Sequence, residues 1–107
     1  MVEILIYETK NGRKPFEEWL DSIKDIKTKT SVKKGIEKLK NIDYRNFKPI
    51  VGIENLFELK FSIAGGIRIY FGKVDKAIII LLCAGNKSSQ RSDIAKAKEY
   101  WIECLED

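Results

Sequence analysis

The run Ala77-Ile-Ile-Ile-Leu-Leu-Cys-Ala84 leaves this chain few ways to fold. A strand with one wet face alternates apolar and polar residues. This run does not alternate, so it reads as a strand covered on both sides. Isoleucine at three successive positions favours extended over helical backbone. A chain of 107 residues supports one core of two packed layers, and a single domain over residues 1–107 is expected.

The remaining segments fall around that strand. Residues 2–7, Val-Glu-Ile-Leu-Ile-Tyr, form a β-rich run closed by the breaker pair Asn11-Gly12. Pro15 suits the first position of a helix, and Phe16, Trp19, Leu20, Ile23 and Ile26 recur at helical spacing. Ser31 is a cap for a second helix, with Val32, Ile36, Leu39 and Ile42 as its apolar stripe. Two β-like runs, 56–63 and 67–73, precede the apolar strand and are close enough to form a meander with it. After a polar junction, Ile94, Ala97, Tyr100 or Trp101, and Leu105 mark a closing helix capped by Ser89 or Ser92. The predicted order is β-α-α-β-β-β-α, an α+β fold with an antiparallel-rich sheet, a helical hairpin and a C-terminal helix.

Composition limits the chemistry. The chain has no histidine, which excludes imidazole acids and bases, catalytic triads and the usual zinc spacings. Cys83 and Cys104 have no close Cys or His partner in sequence and read as buried free thiols. No cofactor or metal is expected. No apolar run approaches bilayer length, and residues 1–10 lack a basic segment followed by a long apolar one, so a cytoplasmic protein is expected. The net charge is +4, and its distribution says more than its sum. Lys27, Lys29, Lys33, Lys34, Lys38, Lys40, Arg45 and Lys48 face only Glu37 and Asp43 over the same stretch. That footprint suits a polyphosphate partner, and equally a solvated helix face.

Side-chain alternation places the polar residues of the meander. Glu58, Lys60 and Ser62 share one face of their strand, as Arg68 and Tyr70 do of the next. A three-residue Ala64-Gly65-Gly66 loop pairs Lys60 with Tyr70 and Ser62 with Arg68, and keeps the apolar faces together. Lys60, Arg68 and Tyr70 are then expected on one non-core face. Lys87 falls near its rim if the apolar strand lies alongside. On these residues alone, Gly85 to Arg91 is either the edge of a phosphate site or a capped turn.

The segments Leu56-Phe-Glu-Leu-Lys-Phe61, Gly65-Gly-Ile-Arg-Ile-Tyr-Phe71, Gly85-Asn-Lys-Ser-Ser-Gln90 and Asp93-Ile-Ala-Lys-Ala-Lys-Glu-Tyr-Trp101 resemble the RelE-like toxin superfamily, in particular its HigB-like, phage-derived branch. The resemblance implies a fold like the microbial ribonucleases. It also implies the toxin of a type II toxin-antitoxin pair, a metal-independent endoribonuclease that cleaves mRNA on the ribosome. The implied catalytic residues are Arg68 and Lys87, assisted by Lys60 or Tyr70. Lys60 stands where many members have arginine, and lysine lacks arginine's bidentate fork. Glu58, Gln90 and Asp93 also match the pattern, as scaffold. Lys33, Lys34, Lys38 and Arg91 are assigned to ribosomal RNA, and the implied partner is a helix-turn-helix antitoxin. The alternative is a non-catalytic RNA- or protein-binding module of the same fold.

Overall fold

The computed structural model describes residues 1–106. Five strands, β1 (Glu3–Ile6), β2 (Lys48–Pro49), β3 (Leu56–Lys60), β4 (Arg68–Val74) and β5 (Ile78–Gly85), form one sheet in the order β1-β5-β4-β3-β2. β1 runs parallel to β5, and the other neighbours are antiparallel. The helices are α1 (Pro15–Ser22), α2 (Ile26–Lys38) and α3 (Gln90–Glu106), the last preceded by a 3-10 turn at Lys87–Ser89. No helix among the described residues is long and apolar enough to cross a membrane.

The apolar strand is covered on both sides as its composition demands. This produces two cores rather than the single core expected. On one face, Phe16 of α1 and Val32 of α2 pack with Leu59, Ile69, Phe71, Ile79 and Leu81. On the other, Ala97 and Trp101 of α3 pack with Tyr7, Leu56, Tyr70, Leu82 and Cys83. A bulge between Tyr70 and Phe71 adds one residue to the α3 side. Tyr70 pairs with Cys83 and Phe71 with Leu81, leaving Leu82 as the extra residue. Leu82 and Cys83 both join the α3 core.

Two helix boundaries differ from expectation for one local reason. The Asp25 carboxylate accepts the Thr28 amide at 3.1 Å and caps α2 there, so Ser31 lies inside the helix. Ile26 therefore opens α2, is 80 % exposed and does not belong to the α1 stripe. Ile42 lies beyond α2 and is exposed. The two-residue β2 is an element too short for its periodicity to be read. Pro49 is tolerated in it because the strand lies at the sheet edge.

The β3–β4 hairpin turns one residue earlier than expected. Lys60 pairs with Arg68 and Glu58 with Tyr70. The Ile63 carbonyl accepts the amides of both Gly66 and Ile67, while Ala64, Gly65 and Gly66 all have positive φ. Glycine adopts that conformation without steric cost, and two of these three positions hold it. Moving the turn by one residue changes every pairing by two, so the facing of Glu58, Lys60, Arg68 and Tyr70 is preserved.

Trp101 fixes α3 to the sheet by lying on the backbone of Gly72. A Cβ on Gly72 would fall 2.2 Å from the indole ring, whose Nε1 donates to the Glu54 carbonyl at 3.0 Å. Gly72→Ala is expected to cost about 3 kcal/mol through this collision. Gly12→Ala, where nothing lies within 4 Å and only the φ of 82° is unfavourable, is expected to cost about 1 kcal/mol. Thermal unfolding of the two variants checks the ranking.

Candidate functional site

The α3 face of the sheet is a second core, not the open face expected, and this redistributes the roles of its polar residues. Arg68 and Glu58 are both buried, with the Arg68 Nε 3.7 Å from the Glu58 Oε1. The Arg68 Nη1 donates to the Gly66 carbonyl at 2.6 Å. The other Glu58 oxygen, Oε2, accepts from the Gln90 Nε2 at 3.0 Å. Arg68 is thus held in place by its own hairpin and by β3. Glu58 ties both to the first residue of α3.

Lys87 reaches the same place from a different element. Its amide donates to the Gly65 carbonyl at 3.2 Å, so the turn before α3 is joined to the hairpin tip. A Cβ on Gly66 would lie 3.0 Å from the Arg68 Nη1 and 3.5 Å from the Lys87 Cβ. Gly66 therefore marks the point where the two residues converge. Lys60 stands opposite Arg68 on the neighbouring strand and is exposed.

The junction is also a capped turn, in which Asn86 caps the 3-10 turn before α3 and the Ser89 hydroxyl completes the box by accepting the Asn86 amide at 3.3 Å. Asn86 Oδ1 accepts the amides of Ser88 and Ser89 at 3.0 and 3.3 Å. The Ser89 hydroxyl donates to the Asp93 Oδ2 at 2.5 Å. The Asp93 carboxylate occupies the space above Gly85, where any Cβ would collide with it. Lys87 is left exposed on a turn whose backbone is held from both sides.

Tyr70 does not belong with these cations. Its side chain is fully buried beneath α3, and its hydroxyl has no hydrogen-bond partner. Burial first, and then the nearby Glu58 and Asp93 carboxylates, push its pKa well above the ordinary tyrosine value. It is a core residue and is removed from the set of proton-transfer groups. Burial likewise pushes the Cys83 thiol up to about 12. Cys83 is a free thiol, and Cys104 is half-buried rather than buried.

Beside the buried pair lies a cleft of 460 Å³ lined by Arg45, Asn46, Phe47, Lys48, Glu58, Lys60 and Ser62. Lys48 enters it because β2 pairs Lys48 with Glu58. Ser62 also lines a second groove of 270 Å³ with Lys34, Lys38 and Phe61, between α2 and the end of β3. The two hollows meet at Ser62 and together carry Lys34, Lys38, Lys60, Lys48 and Arg45. Lys33 is exposed one residue before Lys34 and lines a neighbouring hollow on α2. Arg91 is exposed on the first turn of α3 and lines none of these. Arg45 and Lys48 carried a charge signal in the sequence, but their place in the cleft depends on β2. Among the described residues no group of three or more His, Cys, Asp or Glu side chains could hold a metal ion.

Fold and site together define a small α+β protein with a mixed sheet between helices and a cationic cleft beside the start of its last helix. The chain matches no protein-family profile. An uncharacterized protein of Haemophilus influenzae is 32 % identical over 84 residues, covering 78 % of this chain and 82 % of that protein. This chain belongs to the family of that protein.

Tyr70 supplies a test of these assignments. Because its pKa is raised in the folded state, the folded chain holds the phenolic proton more tightly than the unfolded chain. The stability it contributes is intact below about pH 10 and falls as pH rises past it. Tyr70→Phe is expected to unfold at the same or a higher temperature at pH 7, since it removes a buried unpaired hydroxyl. It is also expected to lose less stability than the parent chain above pH 10. Thermal unfolding followed across that pH range measures both.

Proposed function

We propose that this chain is a ribosome-dependent mRNA endoribonuclease, the toxin of a type II toxin-antitoxin pair in the HigB-like branch of the RelE-like superfamily. The carrying observation is the convergence of Arg68 and Lys87 at Gly66, with Lys60 across the strand from Arg68. Three cationic side chains spring from neighbouring positions on three elements, and one of them, Lys60, lines a cleft together with Arg45 and Lys48. The strand and helix order and the buried Arg68–Glu58–Gln90 connection agree with the sequence resemblance.

Cleavage by the ribose 2′-hydroxyl requires in-line attack on the adjacent phosphorus, removal of the 2′ proton and protonation of the departing 5′ oxygen. The bond between phosphorus and the 5′ oxygen breaks as the 2′ oxygen bonds to phosphorus. In this reading Arg68 supplies a fixed positive charge beneath the developing phosphorane. Its enclosed position prevents the reorganisation that a mobile cation in water would undergo. Lys87, exposed on a rigid turn, holds the phosphate or protonates the leaving oxygen. Lys60, the proton-transfer group that remains once Tyr70 is set aside, accepts the 2′ proton through its amine. The ribosome orders the mRNA into the in-line geometry, and Lys33, Lys34, Lys38 and Arg91 meet ribosomal RNA.

A second reading rests on the same buried pair. Arg68 is engaged by Gly66 and faces Glu58, as a scaffold arginine would be, and a non-catalytic RNA-binding module would use only the cationic cleft. Single-turnover cleavage of a reporter mRNA on saturating ribosomes separates the two. Lys87→Ala is expected to lower the rate by ~10²-fold or more with the fold and ribosome affinity unchanged. Ribosome binding by the parent chain without cleavage would establish the module instead.

Reversing Lys33, Lys34 and Lys38 to glutamate is expected to flatten the salt dependence of ribosome binding, since fewer counterions are released. An unchanged slope would make these lysines a solvated helix face. The neighbouring-gene antitoxin is expected to co-purify with the chain and suppress its toxicity.

A further inference from the structure

The two edges of the sheet are built differently. At one edge, β2 is two residues long and consists of a lysine and a proline, both of which oppose strand pairing. At the other edge, β1 carries Glu-Ile-Leu-Ile with no proline, lysine or bulge. Leu5 and Ile6 are 41 % and 36 % exposed there. The Glu3 amide donates to the Ala77 carbonyl at 2.7 Å and the Tyr7 amide to the Leu81 carbonyl at 3.0 Å. In a parallel ladder alternate residues turn both backbone groups to the same neighbour, so the N–H and C=O of Ile4 and Ile6 point outward. The outward amide of Val2 is spent on the Lys40 carbonyl at 3.1 Å, which limits the open edge to Ile4–Ile6.

We propose that this edge pairs antiparallel with β1 of a second copy of the chain, about a two-fold axis passing beside Leu5. The edge is its own complement. With the axis at Leu5, Ile4 of one copy lies opposite Ile6 of the other. Their outward groups then exchange hydrogen bonds on both sides of the axis. Leu5 meets Leu5 of the second copy on the α3 side of the sheet, and each Ile6 is covered by the opposing Ile4 on the other side. Glu3 falls opposite Tyr7, and the pairing ends there because the Lys40 backbone already lies beside Val2. No two like charges oppose each other, a pairing that would be unfavourable.

Other two-fold registers fit less well. An axis at Ile4 would set Ile6 against Val2, whose amide is already used. An axis at Ile6 would set the glutamate at position 8 against Ile4. The pairing joins two five-stranded sheets into one and stands apart from the nuclease reading.

Sedimentation equilibrium of the full chain is expected to show a reversible monomer–dimer equilibrium. Leu5→Lys places two lysines face to face across the axis and is expected to weaken dimerisation at least ~10-fold, with Ile6→Lys acting in the same direction. Both side chains are already exposed, so thermal unfolding at low concentration should be unchanged. Under mild oxidation Leu5→Cys is expected to give a disulfide-linked dimer, because the opposed Cβ atoms of a non-hydrogen-bonded pair lie close enough to bridge. Ile4→Cys and the parent chain, each keeping Cys83 and Cys104, should not. A chain that stays monomeric up to NMR concentrations, or a dimer indifferent to Leu5→Lys, would overturn the proposal. Preferential linking through Ile4→Cys would overturn the register. Protection of the Ile4 and Ile6 amides only on adding a partner protein would assign the edge to that partner and overturn self-pairing.

Discussion

Everything in this fold depends on giving β5 two dry faces. A strand of isoleucine and leucine has no side to turn to water, so α1 and α2 must lie on one face of the sheet and α3 on the other. That requirement places the start of α3 at the carboxyl end of β5, where the chain leaves the strand through Gly85 and turns at Asn86. Lys87 is carried to the hairpin tip by this geometry, without any attraction between cations. The polar site is therefore a by-product of apolar packing in its position, though not in its composition.

The Glu58–Arg68 pair has a different role from the core around it. Burying two opposite charges contributes little net stability, but removing one partner leaves the other uncompensated at several kcal/mol. Such a pair tolerates few alternative arrangements. Glu58 extends it to Gln90, so β3, β4 and α3 are held in one relation at the place where the cations converge. The Arg68 Nε, which faces Glu58 without a hydrogen bond, and the Tyr70 hydroxyl lie within the same buried layer. Polar groups left unsatisfied there are a cost the fold carries next to its candidate site.

The sequence was most readable where period and burial agree. The apolar strand, the meander and the closing helix follow from residue spacing, and the common face of Glu58, Lys60, Arg68 and Tyr70 follows from parity even though the turn was displaced. The environment of that face was not readable. Exposure was inferred from its charges, whereas Tyr70 packs beneath α3 and Arg68 is buried against Glu58 and Gly66, which leaves Lys60 and Lys87 as the cations in solvent. Helix boundaries failed where two caps competed, since Asp25 and Ser31 are both acceptable and only the fold selects Asp25. The cleft depends on Lys48 pairing with Glu58, a long-range contact made by a strand too short to leave a pattern.

The bulge at Leu82 has a consequence for how the chain can vary in length. A one-residue change in a central strand ordinarily turns every later side chain to the wrong face. Here Cys83 already pairs with Tyr70, and Leu81 with Phe71, as they would in an uninterrupted ladder lacking Leu82. Loss of that residue would leave both halves of β5 facing correctly and would remove only one leucine from beneath α3. The middle of a central strand is thus a place where evolution could shorten the chain without disturbing the relation between its two ends.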